Sequence, residues 1–340
     1  MTRQVHRSAA GRPTLEEVAA LAGVGRGTAS RVVNGSAQVS PRAKAAVEAA
    51  ISQLGYVPNR AARSLVTQRT DAVALVVSES QERVFGEPFF AGVVRGINET
   101  LLETSLQLWL AMAATPAQRQ RVEHHLTDQH VDGVLLLSLH DDDPLPALLR
   151  ARRMPFVLGG GPFVETSGDA FVDVDNVGGA TLAVRHLLSL GARRVATIAG
   201  PQDMAVGRDR LGGYRAALPA HAPEVVEVSD FSEAGGYAAM CALLASAPDV
   251  DAVFAASDLM AAGALRALRE AGRVVPRDVA LVGFEDADVA RRTDPPLTTV
   301  HQPVEELGRT MAALLIDLIA GRDVVSHVLL DTHLVRRSSA

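Results

Sequence analysis

Residues 23–35 read GVGRGTASRVVNG. Glycines stand at 23, 25 and 27, Arg26 sits between the last two, and Thr28 and Ser30 follow. Such a stretch admits two readings: a loop that cradles phosphate with its backbone amides, or a turn leading into a helix. What precedes it separates them. Thr14-Leu-Glu-Glu17 fits a capping box, in which the Thr hydroxyl and the Glu carboxylate each meet an orphan amide of a first turn. Leu15, Val18, Ala19 and Ala22 then fall at helical spacing, which predicts a short amphipathic helix ending near Gly23. A phosphate loop of the Walker type needs Gly-Lys-Ser/Thr, and a dinucleotide fingerprint needs a buried strand before it. The only lysine is Lys44, and the stretch follows a helix. A phosphate cradle is therefore disfavoured.

Two further helices follow. Ala29, Val32 and Val33 give a second apolar face, stopped by Asn34-Gly35. Ser40 caps a third helix with Pro41 at its first position, Ala43, Ala46, Val47, Ala50, Ile51 and Leu54 inside, and Gly55 at its end. Three short helices with a tight glycine turn between the first two describe a helix-turn-helix, whose second helix enters a major groove. Charge agrees. Residues 1–70 hold ten Lys/Arg against Glu16, Glu17 and Glu48, a net of +7, which leaves −13 for the rest of a 340-residue chain totalling −6. A basic head on an acidic body points to a polyanion partner for the head alone.

The segments TLEEVAALAGV (14–24), TASRVVNGSAQVS (28–40) and AAISQLGYVPNRAARSL (49–65) resemble the lactose-repressor (LacI/GalR) family of bacterial transcription regulators, and the resemblance continues through most of the chain. It implies an N-terminal three-helix helix-turn-helix domain at 1–57, a hinge helix or linker at 58–70, and an effector-binding and dimerisation core at 71–340. That core is expected to be two-lobed and periplasmic-binding-protein-like. Carried over position by position, the resemblance makes Arg26 and Gly27 the base-facing residues, with Arg31 one turn on. Both arginines carry the donor fork that binds guanine O6 and N7, whereas Gly27 has no side chain to read with. Thr14, Thr28, Ser30, Asn34 and Ser40 match positions near phosphates or base edges. Asn59, Ala62 and Leu65 match the hinge, where the leucine wedges between base pairs of the minor groove. Gly25 stands where the family has Ser or Thr, so the first turn of the second helix lacks a side-chain cap.

The body, residues 71–340, alternates strand-like runs with helical stretches: DAVALVV, LQLWLAM, VDGVLLLS, PFVLGG, AFVDVD, RRVATIAG, EVVEVS, DAVFAAS and VALVGF. This pattern predicts α/β architecture with parallel sheets flanked by helices. The count suits two lobes, expected at about 71–165 plus 298–325 and at about 166–296 plus 327–340. Crossings are thus expected near 161–170, 294–300 and 324–330. Ligands of such sheets bind beyond the carboxyl ends of the strands. The resemblance places Phe89, Phe90, Arg210, Asp258 and Glu285 there, with Gly160 in the unusual VLGGG run at 157–161. It implies a sugar or sugar phosphate as effector; Glu285 and Asp258 speak against an anionic ligand, Arg208 and Arg210 for one.

Other classes fit poorly. The single cysteine, Cys241, forms no intrachain disulfide and no cysteine-based zinc site. No HExxH, nucleophile elbow or Cys/His pairing is present, so neither an enzyme nor a cofactor or metal is expected. His124 and His125 read as solvated residues of a polar helix. The basic start has no apolar stretch of a secretory signal, and no run of eighteen apolar residues occurs, which predicts a cytoplasmic protein. The end, HLVRRSSA, carries no leucine heptad, so homodimers are expected. Together these readings predict an effector-controlled regulator of a pseudo-palindromic operator, a repressor released by inducer. Corepression or activation by the same parts is the alternative, and a sugar-binding protein without DNA function leaves the head unexplained.

Overall fold

A computed structural model of the chain describes residues 13–33, 38–56, 69–127, 130–141, 143–161 and 168–340. The chain divides into two compact units, Met1–Thr70 and Asp71–Ala340.

In the first unit, α1 (Leu15–Leu21), α2 (Arg26–Val33) and α3 (Pro41–Leu54) form as their caps direct. The Glu17 N–H donates to the Thr14 hydroxyl at 3.3 Å and the Thr14 N–H donates to the Glu17 carboxylate at 2.8 Å, completing the capping box. Gly23 turns the chain at φ +66°, where a side chain would be strained. The Gly25 carbonyl accepts the Thr28 and Ala29 N–H groups at 2.8 and 3.1 Å, so Gly25 occupies the N-cap position of α2 without a side-chain acceptor. Ser40 caps α3 through the Ala43 N–H, and Gly55 ends it at φ +62°. Val18, Ala19, Ala29, Val47 and Ala50 are the sealed centre, ringed by Leu15, Val24, Val32, Ile51, Leu54 and Tyr56. Small central residues let three short helices approach closely.

The second unit holds two six-stranded sheets. In chain order its strands are β1 (Ala72–Val77), β2 (Gln107–Met112), β3 (Gly133–Leu137), β4 (Phe156–Gly159), β5 (Ala170–Val174), β6 (Val195–Ala199), β7 (Val226–Val228), β8 (Ala252–Ala255), β9 (Ala280–Glu285), β10 (Thr298–His301), β11 (His327–Leu330) and β12 (His333–Val335). The helices are α4 (Gln81–Gly86), α5 (Pro88–Leu101), α6 (Pro116–Thr127), α7 (Leu145–Ala151), α8 (Asn176–Ser189), α9 (Ala205–Ala217), α10 (Glu233–Ser246), α11 (Asp258–Glu270), α12 (Asp288–Arg292) and α13 (Val304–Ile319). The first sheet runs β11-β5-β4-β3-β1-β2 and is parallel throughout; the second runs β12-β10-β9-β8-β6-β7 and is parallel except for β12. Every residue of β1 and β3 is buried, as expected of parallel strands covered on both faces. Helices pair across the faces. Where α5 crosses α13, a Cβ on Gly96 would stand 2.0 Å from the Glu305 carbonyl oxygen, so glycine sets the approach.

The chain crosses between lobes three times, but at other places than the sequence suggests. The crossings lie between β5 and α8, between β10 and α13, and between β11 and β12. Lobe one is thus 71–174 plus 304–330, and lobe two is 176–301 plus 333–340. The polar stretch near 161–170 only joins β4 to its neighbour β5 in the same sheet, so AFVDVD stays in lobe one. The strand at 298–301 belongs to the second sheet through its pairing with β9, and α13 alone carries the chain back.

Candidate functional site

The carboxyl ends of strands from both sheets converge on a cleft between the lobes with a volume of about 430 Å³, within the roughly 300–1,000 Å³ usual for small-ligand sites. Lobe one contributes Phe89 and Phe90 from α5, His140 beyond β3, Gly160 beyond β4 and Asp173 from β5. Lobe two contributes Met204, Arg210, Phe231 and Glu285. Phe90 is nearly sealed and doubles as lobe core, with the Phe89 ring edge-on to it at 5.3 Å.

Arg210 organises the floor. It reaches from α9, fully enclosed, and its Nε–H donates to Asn176 Oδ1 at 2.9 Å. One terminal nitrogen donates to the Ala256 carbonyl at 2.6 Å and the other to Gln302 Oε1 at 2.9 Å. Its guanidinium lies 3.8 Å from the centre of the Phe284 ring. Asn176 opens α8 at the first crossing and Gln302 follows β10 at the second, so one side chain ties two of the three crossings together. Among the described residues three of its five N–H groups are engaged, which leaves two for a ligand. Burial lowers Arg210 to about 10. Opposite stands Glu285, at φ +118°, pushed up to about 8 by burial, with Arg210 opposing. Among the described residues no hydrogen-bond donor meets its carboxylate.

Asp258 does not join them. It is wholly buried, and its carboxylate accepts the Thr299 hydroxyl at 2.6 Å and the Ala287 N–H at 2.8 Å. It therefore braces β10 and the loop after β9 from the first turn of α11, away from the cleft wall. Burial raises it to about 7. Asp286 likewise serves structure, pairing with Arg337, with Arg291 at 3.3 Å and with His301 at 3.4 Å. Arg208 pairs with Asp141 at 3.4 Å.

The remaining cationic side chains of the cleft are engaged by the protein's own acids. Arg83 donates to Glu87 at 2.7 Å and also pairs with Glu79, and Arg150 pairs with Asp169 at 3.3 Å. At the rim, His140 Nδ1 lies 2.7 Å from Asp203 across the lobes, and Nε2 lies 3.7 Å from Glu79. Glu79 raises His140 most although it is farther away, because its side chain is 7% exposed against 58% for Asp203; together they lift the imidazole to about 9. The Asp141 N–H donates to the Asp203 carbonyl at 2.9 Å beside them.

In the first unit, Arg26, Gly27 and Arg31 are exposed on α2, with Thr28 and Ser30 half-buried. Arg26 Nε rests 3.0 Å from Glu16, a solvent-exposed pair, and the Arg31 Nε–H donates to the Gly27 carbonyl at 3.2 Å. Thr14 and Ser40 are helix caps. Asn34, Asn59, Ala62 and Leu65 lie outside the described residues. Among the described residues no group of His, Cys, Asp and Glu is placed to hold a metal, and no helix is long and apolar enough to cross a membrane.

Sequence reasoning missed Asp173, Asn176, Gln302, His140, Met204 and Phe231 as cleft residues. Apart from Asp173, which lies within β5, their shared signal is position just past a strand end, which the misplaced crossings obscured. His125, read as solvated, stacks on Trp109 at 4.0 Å and on His130 at 4.7 Å.

Residues 14–59 match the bacterial regulatory proteins of the lacI family, and residues 184–340 match a periplasmic binding protein-like domain. The HTH-type transcriptional regulator CelR of Thermobifida fusca is 55% identical over 334 residues, covering 96% of this chain and 98% of the relative. The chain belongs to the LacI family. The ribose operon repressor of Escherichia coli is 37% identical, covering 90% of this chain and 93% of its own. Among solved structures, a CelR–cellobiose complex is 53% identical with a TM-score of 0.78, covering 97% of this chain and 100% of that one. A Lac repressor dimer bound to operator and the anti-inducer ONPF is 29% identical with a TM-score of 0.84, covering 97% and 99%. The LacI-family chain is accordingly a DNA-binding transcriptional regulator and not an enzyme.

Proposed function

We propose that this chain is a cytoplasmic, homodimeric repressor whose hold on a pseudo-palindromic operator weakens when a neutral, unphosphorylated sugar of disaccharide size fills the interlobe cleft. The observation that carries the reading is the state of the cleft's charges. Its arginines are already met by Glu79, Glu87, Asp169 and internal acceptors, while Glu285 faces the space with no protein donor. Sugar hydroxyls can accept the two remaining Arg210 N–H groups and donate to Glu285. A phosphate would find few free donors and would lie beside the buried acids Asp173 and Glu285, whose charged forms burial already disfavours, which is costly. Phe89, half-buried at the cleft wall, offers an apolar face to pyranose C–H groups, with Phe90 and Phe231 packed behind as core. The 53% identity to a protein solved with cellobiose supports the same ligand class.

In this reading residues 1–57 bind the operator, with Arg26 and Arg31 reading bases; Gly27 leaves one base-facing position empty, and Thr14, Thr28, Ser30, Asn34 and Ser40 fix register. Residues 58–70, with Asn59, Ala62 and Leu65, form the hinge that couples core to operator. A sugar held by Arg210 acts directly on Asn176 and Gln302, at two lobe crossings, and so biases lobe geometry. Release follows if the sugar binds the non-operator geometry more tightly. Thermal unfolding tests the ligand class, since a ligand selective for the native state raises its apparent stability. Cellobiose should raise the unfolding temperature progressively, with the logarithm of its concentration above saturation, and glucose 6-phosphate should not; the reverse ranking would contradict the reading.

A further inference from the structure

We propose that Asp173 is a specificity-determining effector residue, whose carboxylate accepts one hydroxyl of the sugar through an acceptor position left open by the glycine run at the end of β4. The inference rests on the neutral-sugar reading of the cleft and deepens it. It starts from Gly159, Gly160 and Gly161. A Cβ on Gly159 would stand 2.7 Å from Leu137 Cδ1 and 2.8 Å from Met311 Cε, so the strand end is held bare by packing. Gly160 adopts φ +102° with no neighbour in reach of a Cβ. With no side chain in the way, the cleft reaches across β4 to the adjoining strand β5, and Asp173 lines it.

Counting acceptor positions sharpens the point. A carboxylate oxygen accepts two hydrogen bonds. Asp173 Oδ1 takes the Val174 N–H at 2.7 Å and the Asn176 side-chain amide at 3.0 Å, and is filled. Among the described residues Oδ2 takes only the Gly161 N–H, at 2.8 Å. One lone pair therefore remains, on a carboxylate fixed by three donors. Asn176 hands the other end of its amide to Arg210, so Asp173, Asn176 and Arg210 form one rigid array along the cleft floor. A hydroxyl can both donate to Asp173 and accept from the array's arginine, which an ether oxygen or an ionised phosphate oxygen cannot do. Burial lifts Asp173 to about 6, with Asp209 adding to the rise and Arg210 opposing it; a second anion is unwelcome beside it.

The test uses the full-length protein, isothermal titration, cellobiose and its monodeoxy analogues. In the wild type one analogue should bind about tenfold or more weaker than cellobiose, the loss expected for a hydrogen bond to a charged acceptor. In Asp173→Ala and Asp173→Asn, cellobiose itself should weaken by about that factor, and the same analogue should bind as well as cellobiose. Thermal unfolding of both variants without sugar checks folding, and the near-isosteric Asp173→Asn carries the comparison if Asp173→Ala, which leaves three buried donors unpaired, does not fold. Uniform weakening of every sugar, with the analogue's deficit preserved, would overturn the proposal and leave Asp173 a brace for Gly161. Equal binding of all analogues to the wild type would overturn it too. If the wild type binds no cellobiose, the neutral-sugar reading falls and this inference with it.

Discussion

Arg210 shows how a single side chain can be both structural and functional. Its three internal hydrogen bonds make Arg210→Ala a poor probe of effector binding, because Asn176, Gln302 and the Ala256 carbonyl would lose their donors in a buried site. Arg210→Lys keeps the charge but not the planar fork. It should abolish the shift in unfolding temperature caused by cellobiose while the ligand-free protein still binds operator; a retained shift would move the site elsewhere. Arg26 poses the converse case. Its partner Glu16 is solvated, so breaking that pair to meet DNA costs little. Arg26→Ala should weaken operator binding by about 1–3 kcal/mol and relax preference at one base pair per half-site; equal weakening on all duplexes would mark a phosphate contact. Arg210, Glu285 and the two phenylalanines were named through the family resemblance, and all four line the cleft. Asp258 was named the same way and misled, because the first residue of a helix after a strand can turn inward. Asp173 was hidden by the alternation of AFVDVD, which reads as a half-exposed strand.

At the scale of elements, capping chemistry was legible almost to the residue. Thr14, Glu17, Ser40, Pro41 and Gly55 act locally, so nothing distant overrides them. The lobe crossings were not, because sheet membership depends on pairing between residues far apart in sequence. The stretch Thr298–His301 is short and half polar, yet its hydroxyl residues are sealed against Asp258 and the chain end at Ser339 and Ala340. Gly27 is open to substitution: no atom lies within 4 Å of a Cβ there. Gly27→Ala should therefore stabilise α2 by up to about 1 kcal/mol, seen as slower amide exchange at residues 28–33; faster exchange would show that the glycine is needed. The α5–α13 crossing should behave oppositely. A Cβ on Gly308 would stand 2.2 Å from the Val93 carbonyl oxygen. Gly308→Leu should thus destabilise the body by about 1–3 kcal/mol or more through forced separation of the two helices, seen as a lower unfolding temperature, and an unchanged unfolding temperature would refute the close contact.

For the whole molecule, buried ionisable groups set the response to pH. Asp173, Asp258 and Glu285 rise to about 6, 7 and 8, each chiefly through burial. The folded chain then binds more protons than the unfolded one above the ordinary carboxylate range, so its stability falls as pH rises toward 8. His140, held at about 9, contributes stability that is full below its ordinary value and lost as pH rises through 9. Both effects have one sign. Unfolding temperature measured at constant ionic strength should fall from pH 5 to pH 9, and Asp258→Asn should flatten that fall; a rise with pH would contradict the buried charges. Opposite charge on the two units, +7 on residues 1–70 and −13 on the rest, confines operator attraction to the head. The measurement closest to the central claim is fluorescence anisotropy of a duplex that the full-length protein selects from a random pool. Binding should weaken steeply with added salt, and at fixed salt cellobiose should release the duplex while glucose 6-phosphate leaves it bound. A complex indifferent to cellobiose, or tightened by it, would contradict the account.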